Sequence, residues 1–175
     1  MTGVTVLPAE AKGMISFKAD LSGSGVEYAL KKATGLPVPG SLQVSAAGDT
    51  AALWMAPDEL LVLCPRDAVS QTLGKLSSSM GEAHFLAVDV SDARVGFKLA
   101  GEDAVIRAVL ARLTPADLHP GTVLPGQVRR TRLGQVAAAI WMKAGEAEVL
   151  VFRSVADYAA GVLANAAASP AVGHF

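Results

Sequence analysis

The chain carries much of itself twice, and a repeat on this scale restricts the folds open to it. Ala52-Leu53-Trp54-Met55 returns as Ala139-Ile140-Trp141-Met142. After each tetrapeptide come a short polar turn and an apolar run, Leu61-Val62-Leu63 in one case and Leu150-Val151-Phe152 in the other. Each run leads into a helical pattern, opened by Arg66-Asp67-Ala68 and by Arg153-Ser154-Val155-Ala156. Upstream, Phe17-Lys18 matches Phe97-Lys98. The offset is roughly 80 to 90 residues, about half the chain, which describes a two-unit duplication rather than a solenoid. Both copies place their large residues where packing needs them, and polar residues suited to catalysis are scarce in both.

The chain has 175 residues, enough for one substantial core or two small ones sharing an interface. Its 15 Lys+Arg balance 16 Asp+Glu, so the basic excess that nucleic acid or an anionic membrane would call for is missing. Charged residues make up 18%, against a usual fraction of about 25%. That deficit leaves apolar surface for a partner to cover, unless the abundant Ala alone accounts for it. The longest apolar run, Val136 to Met142, is too short to span a bilayer. Met1 to Lys12 lacks the pattern of a secretory signal. Cys64, the single cysteine, ends an apolar run and reads as a buried, inert thiol. These features predict a cytoplasmic protein.

Periodicity predicts strands over 14–19, 41–47, 50–55, 59–64, 84–90, 94–99 and 147–152. Residues 127–142 read as one long or bent strand. Helices are expected over 26–34, 67–80, 102–113 and 154–167. Gly35 stops the first, Arg107 and Arg112 lie outside the apolar face of the third, and Ser154 caps the last. The fold class is α+β: two duplicated strand-helix-strand-strand-helix units with mainly antiparallel sheets. Residues 1–90 form the first unit and 91–168 the second, packed together as one compact domain, with a frayed tail over 169–175. Trp54 and Trp141 are expected at equivalent corners of the two sheets.

Gly23-Ser24-Gly25 before a helix lacks the further glycine and acidic residue of a dinucleotide fingerprint, and reads as a plain helix start. His84, His119 and His174 have no companions at metal-ligand spacing. Asp89, Ser91 and Asp92 form a polar cluster that suits a turn, since no nucleophile elbow surrounds Ser91. Arg130 and Arg132 share one face of their strand, with Arg129 on the other. They serve either as a charged edge that resists aggregation or as a docking surface for acidic groups. The expected catalytic, cofactor-binding and metal residues are none, and the partner-contact candidates are Trp54, Trp141, Arg130 and Arg132.

The segment Val88-Asp89-Val90-Ser91-Asp92-Ala93-Arg94-Val95-Gly96-Phe97-Lys98-Leu99-Ala100-Gly101-Glu102-Asp103-Ala104 resembles the Asp-x-Ser … Gly-x-Asp-Ala stretch of the glycine-cleavage T-protein superfamily, whose members carry a folate-binding fold. Leu53-Trp54-Met55-Ala56-Pro57-Asp58-Glu59-Leu60-Leu61, Thr131-Arg132-Leu133-Gly134-Gln135-Val136 and Phe152-Arg153-Ser154-Val155-Ala156-Asp157-Tyr158 resemble the gamma subunit family of heterotetrameric sarcosine oxidase. The resemblance covers roughly Met14 to Leu163. It implies a small non-catalytic subunit of a cytoplasmic oxidoreductase, in company with alpha, beta and delta subunits. In that family the complex demethylates sarcosine to glycine and hydrogen peroxide and, with tetrahydrofolate, forms methylene-tetrahydrofolate. FAD, FMN and NAD belong to other subunits, and no cofactor is implied in this chain. A stand-alone folate-binding module or one-carbon enzyme is the alternative, with Asp89 and Arg94, or Arg132, as its candidates.

Overall fold

A computed structural model describes residues 3–169. In chain order the strands are β1 (Thr5–Pro8), β2 (Gly13–Ala19), β3 (Val44–Ala47), β4 (Thr50–Ala56), β5 (Glu59–Cys64), β6 (Phe85–Asp89), β7 (Arg94–Ala100), β8 (Gln127–Leu133), β9 (Val136–Lys143) and β10 (Glu146–Phe152). The helices are α1 (Ser24–Thr34), α2 (Val69–Met80), α3 (Asp103–Ala111) and α4 (Ala156–Ala168). Short 3-10 turns, Arg66–Ala68 and Arg153–Val155, precede α2 and α4.

The chain divides into two compact units. One runs from Ala11 to Asp92; the other joins the segment ending at Glu10 to the chain from Ala93 onward. Each unit holds one five-stranded sheet, ordered β3-β4-β5-β2-β6 in the first and β8-β9-β10-β7-β1 in the second. Every pairing is antiparallel. Position for position the two sheets match, and even isolated hydrogen bonds recur. Val90 N–H donates to the Met14 carbonyl at 2.8 Å, as Ala9 N–H does to that of Gly96 at 2.9 Å. The place taken by β6 in one unit is taken in the other by β1, from the opposite end of the chain.

One face of each sheet packs on its own helices, because the strand residues that point to that face are apolar and the helices carry apolar stripes. In the Ala11–Asp92 unit, Ile15, Phe17, Leu60 and Val62 meet Val26, Leu30, Val69 and Leu76. In the other, Leu99, Ile140, Met142 and Val149 meet Ile106, Val109, Leu110 and Leu163. Burying each such side chain stabilises by about 1.5–3 kcal/mol. Gly35 ends α1 with φ 78°, its N–H donating to the Lys31 carbonyl at 2.8 Å. That left-handed cap is the reason a glycine stops the helix.

Several expectations need correction. Trp54 and Trp141 are not equivalent. Trp54 is opposite Leu60 and packs on the helix-side core, whereas Trp141 is opposite Glu148 on the other face. The cause is one extra residue. Pairing shifts between Trp54 and Ala56, so Met55 bulges and turns the preceding part of β4 over. The structural counterpart of Trp54 is therefore Met142, opposite Ala147. The long strand over 127–142 is a hairpin, β8 and β9, turning at Gly134 with φ 58°. Ser154 lies inside a 3-10 turn; Val155 is the N-cap of α4 and makes no side-chain cap. Arg107 is buried, not outside the apolar face of α3. β1 was not expected. Of the expected tail only Ser169 lies within the described residues, its N–H donating to the Asn165 carbonyl.

Candidate functional site

The two candidate arginines lie on the sheet face turned away from α3 and α4. Strand register fixes what surrounds them. Arg130 is opposite Ala139, Ala139 opposite Leu150, and Leu150 opposite Gly96, which makes one row across four strands. The next row towards the β9–β10 turn is Val128, Trp141, Glu148 and Lys98. In the other direction Arg132 is opposite Ala137 and Phe152 is opposite Arg94.

Near the β9–β10 turn every charge is matched. Lys143 Nζ lies 2.8 Å from Glu148 and 3.4 Å from Glu146, and 3.9 Å from the Trp141 ring centroid. Lys98 pairs with Glu146. That hydrogen bond is the main cause holding the Glu146 carboxyl below, and the Lys98 ammonium above, their ordinary values. Glu148 is a buried carboxylate, so its lysine partner satisfies the need of an interior charge for a counter-ion. Trp141 is 8% exposed, and its indole N–H has no acceptor among the described residues.

At the opposite end lie Arg94, Phe152, Arg130 and Arg132. Phe152 is 44% exposed, a large aromatic at the surface. The Arg94 guanidinium lies over its ring, 4.5 Å from the centroid. Arg153 follows at once, its guanidinium 3.4 Å from the Arg94 carbonyl and its N–H bonded to the Ala93 carbonyl. Arg130, Arg132 and Arg153 are exposed. Arg132 donates to the neutral Gln135 amide oxygen at 3.0 Å, which leaves its charge uncompensated by that bond. Of the expected contact residues, Arg130 and Arg132 are thus together, Trp141 is buried farther along the same face, and Trp54 belongs to the other unit. Phe152 shares the face of the two arginines and was not among the expected contact residues. It ends an alternating strand, and only the register reveals which way it points.

Asp89, Ser91 and Asp117 are committed to local structure. Asp89 Oδ1 accepts from Ser91 N–H at 2.9 Å and from Ser91 Oγ at 2.5 Å. Ser91 Oγ in turn accepts from Met14 N–H at 2.9 Å. These bonds, the hydroxyl first, hold the Asp89 carboxyl below its usual range. Asp117 takes His119 N–H at 2.9 Å and the Thr122 hydroxyl at 2.9 Å, closing the loop after α3. Burial pushes the Cys64 thiol up, which suits an inert core residue. Among the described residues no three His, Cys, Asp or Glu side chains are grouped as a metal site would need.

With two matched five-stranded sheets, each backed by two helices, the fold is of the kind seen in the glycine-cleavage T-protein. The glycine cleavage system aminomethyltransferase T from Bartonella henselae matches with a TM-score of 0.66 at 15% identity, over 92% of this chain and 45% of that one. A chain of the heterotetrameric sarcosine oxidase from Corynebacterium sp. U-96 matches at 0.84 and 24% identity, over 98% of this chain and 87% of that one. The sarcosine oxidase subunit gamma of an Arthrobacter species is 34% identical over 108 residues, 62% of this chain and 51% of that protein. The sarcosine oxidase gamma subunit family matches residues 18–169, and the chain belongs to that family. It spans about half the length of the curated relatives it matches, 51% to 58%. Asp89, the carboxylate of the folate alternative, is engaged by the turn at Ser91.

Proposed function

We propose that this chain is a small structural or assembly subunit of a heterotetrameric sarcosine oxidase, a cytoplasmic oxidoreductase acting on the CH–NH group of its donor. The observation that carries this reading is the family match over residues 18–169. On this reading alpha, beta and delta subunits are its partners. They carry the FAD, FMN and NAD of the complex and supply the tetrahydrofolate chemistry that yields methylene-tetrahydrofolate. The contribution of this chain is surface, with Arg130 and Arg132 as contact residues. No described helix is long and apolar enough to cross a membrane. Affinity purification of the tagged chain from its native host tests the reading. Three partners in equal amounts, with flavin absorbance near roughly 450 nm from cofactor-carrying chains, are expected. A colourless chain recovered alone, or one that binds tetrahydrofolate tightly in calorimetry, would sink it.

A further inference from the structure

We infer that the outer edge of β6 pairs with the same edge of a second copy of this chain, joining two five-stranded sheets into one. The inference stands apart from the subunit reading. β6 (Phe85–Asp89) closes one side of its sheet and pairs only with β2. The bond from Val90 N–H to the Met14 carbonyl fixes which of its amides face β2. Hydrogen-bonded pairs alternate in an antiparallel ladder, so Leu86 and Val88 bond to β2. The N–H and C=O groups of Phe85, Ala87 and Asp89 therefore point outward. These outward groups have no backbone partner among the described residues. Natural sheet edges are blunted by charge, by proline or by shortness. β8 carries Arg129, Arg130 and Arg132, β1 has four residues and includes Pro8, and β3 has four residues. β6 has five, Phe-Leu-Ala-Val-Asp, with no proline and its single charge at the end. Leu86 and Val88 are 52% and 41% exposed, two residues apart on one face of it.

The strand's own sequence selects a second copy as the occupant. An antiparallel pairing centred on Ala87 sets the whole of β6 against itself. Ala87 meets its counterpart, Leu86 meets Val88, and Phe85 meets Asp89. Every outward N–H and C=O group then finds a partner. Leu86 and Val88 of the two copies fall at non-hydrogen-bonded positions, where Cα atoms approach to about 4.5 Å, and their exposed side chains merge into one apolar cluster. The two Asp89 carboxylates stay apart, about 14 Å along the strands at ~3.4 Å per residue. The helices permit the pairing. Its two-fold axis stands perpendicular to the joined sheet, so both copies of α2 lie on one face. α2 packs over β6 and β2. A helix centred between those strands stands two strand spacings from its copy, about 10 Å, which is a helix-packing distance. Ser70, Gly74 and Ser78, exposed at every fourth position of α2, set no bulk against that approach. The pairing is short, and interfaces below about 1,200 Å² are weak, so a dissociation constant on the order of ten micromolar is expected.

The test uses the full chain, purified alone. Sedimentation velocity follows it from low to high micromolar concentration, with hydrogen exchange read in parallel and folding checked by circular dichroism. A monomer–dimer equilibrium is expected, and the Ala87 and Asp89 amides should gain protection as concentration rises. Leu86→Lys sets a lysine against the apolar cluster in both copies and should weaken dimerisation at least about tenfold. Ala87→Pro removes an outward donor and no bond to β2, and should act in the same direction. Leu124→Lys replaces a leucine that is 54% exposed outside β6 and adds the same charge, and should leave dimerisation unchanged. A chain that stays monomeric at high micromolar concentration would overturn the inference. So would a dimer that both β6 variants, still folded, leave as tight as wild type. Amides of β6 that gain protection only when other subunits are added would make a partner's strand the occupant and overturn the second copy. The subunit reading survives each of these results, because it turns on recovery of the partners.

Discussion

Arg107 holds the loop that follows α3. Its guanidinium donates to the Leu118 and Val123 carbonyls at 2.7 and 2.9 Å and pairs with Asp103 at 2.6 Å, all from a buried position. Arg107→Met would keep the apolar stem and strand two buried carbonyls without donors. A loss of about 3 kcal/mol is expected in urea denaturation. Ser91 holds a second junction. Ser91→Ala orphans the buried Met14 N–H, with an expected loss of about 1–3 kcal/mol at neutral pH. It also removes the largest cause of the depressed Asp89 value. A carboxyl lowered on folding adds stability that is complete above its ordinary 3.8 and drains as pH falls below it. The stability of Ser91→Ala should therefore decline less steeply than that of wild type from roughly pH 4 to pH 2. An equal slope in both proteins would count against this account of Asp89.

At the scale of elements, the β8–β9 turn and the start of α4 form a coupled pair. A side chain at Gly134, whose φ is 58°, would collide with the Tyr158 hydroxyl, and that hydroxyl accepts from Gln135 N–H at 3.2 Å. Gly134→Ala should cost about 1–2 kcal/mol. Tyr158→Phe removes the colliding atom, so the double variant should recover part of that loss. Strict additivity in thermal unfolding would show the two are uncoupled. The turn was not legible in the sequence because Leu133-Gly134-Gln135-Val136 lacks the paired Asn-Gly or Asp-Gly signal of a tight hairpin. The β4–β5 hairpin was legible, and β5 runs over Glu59–Cys64 as read. The bulge at Met55 was not. A repeat of residue types carries no information on an inserted pairing position, so identical Trp-Met dipeptides end on opposite faces. The same blindness hid Phe152. Arg130 and Arg132 could be placed on one face from spacing alone, but their neighbours across the sheet depend on pairing with β9, β10 and β7.

On the scale of the whole molecule, β1 matters out of proportion to its length. It covers the outer edge of β7, with Thr5 opposite Ala100 and Pro8 opposite Phe97. A chain begun at Ala9 would leave that edge unpaired and remove Val4 and Val6 from the core they pack against. Hydrogen exchange should then accelerate at least about tenfold in β7 and β10, while β2 and β5 keep their protection, since local openings follow local units. Equal loosening of both sheets would refute that independence. Composition could not reveal β1, because four residues hold too little periodicity and their partner is most of a hundred residues away.

Synthesis runs towards the C-terminus, so β1 leaves the ribosome well before β7, β8, β9 and β10, the other strands of its sheet. The Ala11–Asp92 unit has all its strands before β7 emerges. Thr5–Pro8 must wait, on the order of ten seconds at typical elongation rates, as an unpaired segment that exposes Leu7 and Val6. The strands of the Ala11–Asp92 unit can therefore pair while β1, made before them, still waits for its own sheet.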